Sequence, residues 1–394
     1  MNGSTHSSLR SQIGPLLFLV GIFFLNFLAR IILSPLMPTV EKDLKIGHDE
    51  AGSLFFLISL GYCVGLLASG FVSSRLYHRK TIFLSSIAVG FGLMIVSITH
   101  NLWAIRSGLI YLGIAAGFYL PSGIATVTGF VRPEHWGKAI AIHELAPNLG
   151  FLIAPLLAEA LLGLFSWQGV LLLIGIGSIV AAVFFIFWGR GGAFLGEAPD
   201  SKTLRSILVE PSFWMMIVLF SLGIGASFGV YSMIPLYLVS EKGMERTWAN
   251  TLLGLSRIPT LVIVLLSGWV TDRLGAKQTL RAIFLANGLT TMILGVVSGS
   301  WIVILLFIQP MIATCFFPAG FAALSRMGSP RIKNVAISFT ASLGILLGGG
   351  AIPAGIGLIG ELGSFSLGFI LLGALLFAGV VVIQFLKFSN EENI

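Results

Sequence analysis

Charge is scarce in this chain. Charged residues occupy 10% of its 394 positions, against about 25% in a typical soluble protein, while hydrophobic residues occupy 56%. That shortage excludes an ordinary soluble enzyme, a disordered tail and a nucleic-acid-binding module. The net charge of +7 does not reverse the reading. Few of the 23 Lys and Arg form runs, and most sit in short gaps between apolar stretches, as basic residues do in membrane proteins. Cysteine is nearly absent. Cys63 and Cys315 stand far apart in apolar stretches without metal-ligand spacing, so both are expected to be small core hydrophobes. No G-x-x-x-x-G-K-[ST] loop is present, which argues against ATP-driven pumping. No cluster matches a zinc or haem site, so neither metal nor cofactor is expected. Gly225–Gly229 does fit G-x-S-x-G, but it lies in an apolar run and every histidine precedes Ser227. The hydrolase fold that uses this elbow needs its histidine after the serine, so no enzyme is expected. A cleavable signal peptide is not evident either, because the first apolar run is too long and lacks a small-residue cleavage site.

What the chain has is apolar runs, at about 14–40, 50–74, 80–99, 102–130, 137–163 and 167–189. They resume at about 212–239, 248–271, 279–299, 301–326, 333–360 and 363–388. A span needs about 20 residues, so each run predicts one transmembrane helix. The stretch from Gly189 to Pro211 has two Gly pairs and mixed charge, and reads as a cytoplasmic linker. The expected organisation is an N-terminal six-helix bundle over 1–189, a linker over 190–211 and a C-terminal six-helix bundle over 212–394. With a cytoplasmic N-terminus, sixteen basic residues fall in inside segments, from Arg10 through Lys202, Arg205, Arg331 and Lys333 to Lys387, and five fall outside. Both termini are therefore expected in the cytoplasm of a cell (inner) membrane. The halves also repeat. Pro35-Leu36 with Glu41-Lys42 recurs as Pro235-Leu236 with Glu241-Lys242, shifted by 200 residues. Gly70–Leu76 recurs as Gly268–Leu274, shifted by 198, and Pro121–Gly123 as Pro318–Gly320, shifted by 197. The fold class is all-α membrane protein: twelve helices in two parallel six-helix repeats, a known transporter plan.

These repeats resemble the major facilitator superfamily over essentially the whole chain. Its most specific element is a loop after the second helix of each half, of the form G-x-x-x-D-R-x-G-x-[KR]. The second copy is complete, with Gly268, Asp272, Arg273, Gly275 and Lys277. The first keeps Gly70, Arg75 and Arg79 but has Ser74 in place of Asp and Tyr77 in place of Gly. The resemblance implies that these loops act as gating latches between the halves. Two stretches are similar to the anion branches, namely the organophosphate:phosphate antiporters and the anion:cation symporters. They are Asn26–Arg30 with Pro35-Leu36, and Gly137–Gly150 followed by Ala154-Pro155. The phosphate antiporters carry a second Arg at the partner of Arg30, where this chain has Val230 beside Tyr231. The second cation here is Arg257, an arrangement similar to monocarboxylate transporters.

On the residues alone, Arg30 lies about sixteen residues into its run, or ~24 Å. An Arg at that depth costs about 2.5–3.5 kcal/mol on insertion scales, so it should face a wet cavity or a partner. Asn26 and Ser34 share its face. Arg257 lies about nine residues into its own run, with Asn250 and Gly254 on its face. Arg30 and Arg257 are read as substrate contacts, with structural ion pairs as the alternative. Asn148, Tyr119, Tyr231 and Gln309 are candidates to complete the site, as are Tyr62 and Ser227. Glu144 enters about seven residues, ~10 Å, from the cytoplasmic end of its run. Burial disfavours a charged carboxylate and a nearby Arg favours it, so such a group can bind and release a proton. Histidine does so unaided near neutral pH. Glu144 and His143 are thus both candidate proton carriers, and the choice between them stays open. Glu159 and Glu361 lie near outer helix ends and are expected to be solvated.

Two in-span Arg against one deep Glu favour a small organic anion, carboxylate-type, as substrate. The expected mechanism is alternating access, coupled to protons or to exchange for a counter-anion. An exporter of hydrophobic drugs or cations is the alternative, and a transporter-like membrane sensor is an alternative of a different class. The expected partners are the anion, the lipid bilayer, and protons or a counter-anion, with no nucleic acid. A monomer is expected.

Overall fold

The structure is a computed structural model that describes residues 12–197, 207–326 and 330–386, with side chains from 336 onward in the last stretch. Arg10, Lys202, Arg205, Lys387 and the side chains of Arg331 and Lys333 lie outside the described residues. Among the described residues there are twelve helices long and apolar enough to cross a membrane. They are α1 Ile13–Leu44, α2 His48–Arg75, α3 His78–Ser97, α4 Leu102–Phe130, α5 Pro133–Leu162 and α6 Trp167–Trp188. The second six are α7 Pro211–Glu241, α8 Arg246–Leu274, α9 Ala276–Val296, α10 Ser300–Leu324, α11 Ala336–Glu361 and α12 Phe365–Phe385. The shortest has 20 residues, which at 1.5 Å per residue reaches ~30 Å, the thickness of a bilayer's hydrocarbon core. No strand ladder occurs among the described residues; an isolated bridge joins Tyr77 to Leu195. The expected all-helical membrane fold is the observed one.

Local chemistry sets the helix starts. Asn101 caps α4 by accepting from the N–H groups of Trp103 and Ala104. Ser166 caps α6 and Ser364 caps α12 in the same way. Glu245 caps α8, accepting from Thr247 and Trp248. Hydrogen bonds from Thr247 hold its exposed carboxyl below the usual carboxylate range.

Prolines set the helix interruptions. Turns break the helical bonding at Ile32 in α1, Phe118 in α4, Glu144 in α5, Ser256 in α8 and Cys315 in α10. Each stands three residues before a proline: Pro35, Pro121, Pro147, Pro259 and Pro318. Proline has no N–H to give the carbonyl four residues back, and its ring presses on that carbonyl. Four of these five breaks lie beside residues that the sequence marks as functional: Arg30, Tyr119, His143 with Glu144, and Arg257.

The contacts divide the chain into two units. The first comprises Met1–Ile32, Leu60–Ala154 and Ala160–Ala198. Leu16, Leu19, Phe23, Tyr119, Val127 and Phe185 form part of its buried core. Gly61 and Gly65 of α2 bring that helix against the α4 backbone at Ile110 and Ile114, the close approach that small residues permit in membranes. The second unit comprises Leu33–Ser59, Pro155–Glu159 and Pro199–Ile394. Its core holds Phe220, Phe284 and Phe316, packed edge to face. Side-chain bonds explain why residues of α1 and α5 group with it: Ser34 donates to the Tyr231 carbonyl at 2.9 Å, and Arg246 meets Glu159 at 3.0 Å.

The loop between α8 and α9 turns on Gly275, at φ 82° and ψ 151°. That region is open to glycine almost alone, and a side chain there costs about 1–3 kcal/mol. A Cβ at Gly275 would meet nothing within 4 Å, so the cost of Gly275→Ala is conformational. Thermal unfolding is expected to show lower stability for Gly275→Ala. Gly268→Ala, in open space within α8, is expected to be neutral or stabilising by up to ~1 kcal/mol.

Candidate functional site

In the first unit, Arg30 is 8% exposed. Its guanidinium lies 3.9 Å from the centroid of the Tyr62 ring and 5.0 Å from that of Phe27, a cation–π arrangement that steadies the charge without neutralising it. Among the described residues no carboxylate pairs with Arg30, and its Nε has no hydrogen-bond partner. Asn26, one turn earlier, donates to the Ala116 carbonyl at 3.3 Å and leaves its Oδ1 unpartnered. Tyr62 thus joins Arg30, as the sequence allowed.

Tyr119, His143 and Glu144 come together as a second cluster in the same unit. The Tyr119 hydroxyl donates to the Leu19 carbonyl of α1 at 2.9 Å and lies 3.1 Å from His143 Nε2. His143 Nδ1 lies 3.2 Å from Glu144 Oε1. Phe23 stacks on the imidazole, 4.6 Å between centroids and 11° between planes. The imidazole is buried while the Glu144 side chain is 44% exposed. Asn148 donates to the Glu144 carbonyl at 3.1 Å and so supports the break in its own helix.

In the second unit, Arg257 sits in the interruption of α8 before Pro259 and is 3% exposed. Its guanidinium lies 5.0 Å from the centroid of the Tyr231 ring. Each unit therefore holds one buried Arg against a tyrosine ring. Gln309 is placed elsewhere. Its Nε2 donates to the Ala226 carbonyl at 2.8 Å, to Asn287 Oδ1 at 3.2 Å and towards Thr291 at 3.4 Å, tying α7, α9 and α10. An apolar cavity of about 390 Å³ opens between α8, α9 and α10, lined by Ile263, Val270, Ile283, Ala286 and Ile312 among others. The Ser267 hydroxyl on its wall is turned to the Cys315 carbonyl, which leaves it with nothing to hold an anion.

The two loops differ, as their sequences do. In the second, Lys277 donates to the Leu386 carbonyl at 2.7 Å, just beyond α12, while Arg273 lies over Trp269 and Asp272 is exposed. In the first, Arg79 donates to the Ile186 carbonyl at 3.0 Å near the end of α6. A loop cation thus satisfies orphan carbonyls at the end of the sixth helix of each half. Tyr77 stands where Gly275 turns the second loop, with φ −55°. The segment after α6 covers the first loop instead: the Gly192, Phe194 and Ser73 carbonyls accept from Arg79, His78 and Gly196. Gly70 lies in the last turns of α2, its carbonyl accepting from the Ser73 hydroxyl, and Arg75 ends that helix.

One cluster has no precedent in the sequence reading. Glu159 of α5 receives Arg246 Nε at 3.0 Å and a second Arg246 nitrogen at 3.2 Å, in the forked geometry of a bidentate pair. Thr247 donates to it at 3.1 Å and Asn250 at 2.5 Å. Asn250 also reaches the Pro35 carbonyl at 3.0 Å, and Arg246 reaches Thr39 at 3.2 Å. The expectation that Glu159 is solvated is corrected, since its side chain is 12% exposed and four donor groups surround it. Glu361 is exposed, as expected, though it accepts from the His48 N–H at 2.7 Å. The partners of Glu159 lie 87 and more residues away, and no local pattern announces them.

The model of the Major Facilitator Superfamily matches residues 19–293. The chain belongs to that superfamily. Superfamily membership sets it among transporters rather than enzymes. It is 21% identical over 310 residues to the membrane sensor protein UhpC of Escherichia coli, covering 72% of this chain and 69% of that protein. It is 23% identical over 282 residues to the probable L-galactonate transporter of Escherichia coli, covering 67% and 62%. Among solved facilitator-fold structures, a POT family transporter in complex with 5-aminolevulinic acid aligns with a TM-score of 0.79 at 15% identity, covering 95% of each chain. That likeness concerns the fold.

Proposed function

We propose that this chain is a secondary active transporter of a small organic carboxylate, working by alternating access and driven by a proton or by exchange for another anion. The observation that carries the reading is Arg30: a buried cation on an aromatic shelf, with no carboxylate to neutralise it among the described residues. Holding such a charge within a membrane is costly. A planar carboxylate offers the two oxygens that a guanidinium fork takes up. Arg257 is a second anion contact in this reading. A relative named as a probable L-galactonate transporter supports an anion as cargo. The loops rich in basic residues support cytoplasmic termini.

The Glu159–Arg246 cluster acts here as a latch at the far end of α5, one that must break when that end opens. The test is uptake into proteoliposomes. Radiolabelled monocarboxylates, dicarboxylates, nitrate and phosphate esters are compared with and without a pH gradient. Saturable uptake of one carboxylate class, stimulated by the gradient or by internal anion, is expected. Uptake of phosphate esters alone would sink the carboxylate assignment. The similarity to a protein named as a membrane sensor favours a second reading, in which the anion binds and is not moved. Tight binding with no uptake or exchange would favour it.

A further inference from the structure

The hydrogen bonds around His143 fix where its protons are. A carbonyl oxygen only accepts, so the 2.9 Å contact from Tyr119 to Leu19 uses the one hydroxyl hydrogen. The Tyr119 oxygen can then only accept from His143 Nε2, 3.1 Å away, so Nε2 carries a hydrogen. On the other side of the ring, Nδ1 faces Glu144 Oε1 at 3.2 Å. One hydrogen must lie there as well. Either the imidazole is doubly protonated beside a carboxylate, or a protonated carboxyl donates to Nδ1. Both descriptions contain the same single ionisable proton and the same net charge of zero for the pair.

Resting on the proton-coupled reading above, we propose that His143 and Glu144 form one proton-binding site, and that Tyr119 is the switch that reports its occupancy to α1. Loss of the shared proton to water would leave two lone pairs facing each other between Nδ1 and Oε1. The pair relieves this by carrying its remaining ring hydrogen on Nδ1, where it donates to the carboxylate. Nε2 then has only a lone pair. The Tyr119 hydroxyl rotates to donate to it and releases the Leu19 carbonyl, which keeps its own helical bond. One proton leaves, the pair becomes an anion, and a side-chain tie between α4 and α1 is cut.

The helix released is the one that carries Arg30, two turns beyond Phe23. Among the described residues, the titratable groups bonded to the imidazole are Tyr119 from α4 and Glu144 from α5. From α1 it meets Phe23, which does not titrate, and the next charge along α1 is Arg30 on its Tyr62 shelf. The stack of Phe23 on both His143 and Tyr119 holds the three rings in register while the hydrogens move.

The full-length protein in nanodiscs, with isotope-labelled histidine, tests this without any substrate. Nitrogen NMR reads the His143 ring from about pH 5 to about pH 8, assigned by the loss of its signals in His143→Gln. The ring is expected to carry a hydrogen on Nε2 at low pH, alone or together with one on Nδ1, and to carry a hydrogen on Nδ1 alone at high pH. In Glu144→Gln the amide can donate to Nδ1, so the Nε2–H form is expected throughout. Tyr119→Phe is expected to keep a titrating pair but to lose most of the pH dependence of uptake; a merely structural tyrosine would scale uptake equally at every pH. One tautomer across the whole range in the native chain, or a native pH profile in Tyr119→Phe, would overturn the proposal. Because the NMR readout needs no anion, its failure is distinct from failure of the carboxylate reading.

Discussion

Replacing Arg30 by alanine is expected to abolish saturable carboxylate binding. The guanidinium is buried, lies over Tyr62 and meets no carboxylate of the described chain, and in the proposed reading the substrate is its anionic partner. Truncating one member of a buried, hydrogen-bonded charge pair costs about 2–5 kcal/mol, or roughly 30- to 4,000-fold in affinity. Arg30→Lys keeps the charge but not the planar fork, and it is expected to recover only a small part of the loss. Arg30→Ala should fold, since it removes an intramembrane charge with no ion-pair partner to orphan. Equilibrium binding of a radiolabelled carboxylate to the purified variants checks both. Native affinity in Arg30→Ala would remove the residue from the site.

Breaking the Glu159 cluster is expected to open the end of α5 that it fastens. In Glu159→Ala, Arg246 and Asn250 lose the carboxylate on which they converge. Hydrogen bonds to a charged group contribute about 1.5–3 kcal/mol each at most, and rehydration of the 36%-exposed Arg246 recovers part of that. A net change near 1.4 kcal/mol already shifts an open–closed equilibrium about tenfold. Ser34 is fully buried and donates to the Tyr231 and Ser232 carbonyls, so it serves as a reporter. With Cys63→Ala and Cys315→Ala as background, a Ser34→Cys probe should react about ten times faster with a soluble maleimide once Glu159 is replaced. The double variant Glu159→Ala/Arg246→Ala should react no faster than the single one. Equal rates with and without Glu159 would show that the cluster is not a latch.

The fold was legible because membrane burial imposes a simple pattern. Each helix had to be a run of about 20 apolar residues, and the run at 102–130, for instance, is α4 as it stands. The helix breaks were not announced in advance: five prolines carry them, but Pro38, Pro155, Pro235 and Pro310 lie inside helices without such a turn. Arg30 and Arg257 stood out because a charge in a span demands a reason. The pairing of Arg30 with Tyr62 was less visible: the two lie on different helices, and a tyrosine in a span is more often packing than shelf. His143 and Glu144 were marked singly, but the link from His143 to Tyr119 depends on a contact between distant helices, which has no sequence period. Glu159 was misread because a carboxylate near a helix end looks solvated until its distant donors are placed. The first loop lost its glycine to Tyr77, and the chain beyond α6 supplies backbone partners that the motif alone does not suggest.

The most direct test is ligand-induced thermal stabilisation of the purified protein across carboxylates, nitrate, phosphate esters and lipophilic cations, in the native chain and in Arg30→Ala. Stabilisation by a carboxylate that disappears in Arg30→Ala is the predicted result. Stabilisation by lipophilic cations alone, or by a carboxylate equally in both proteins, would contradict an anion site built on Arg30.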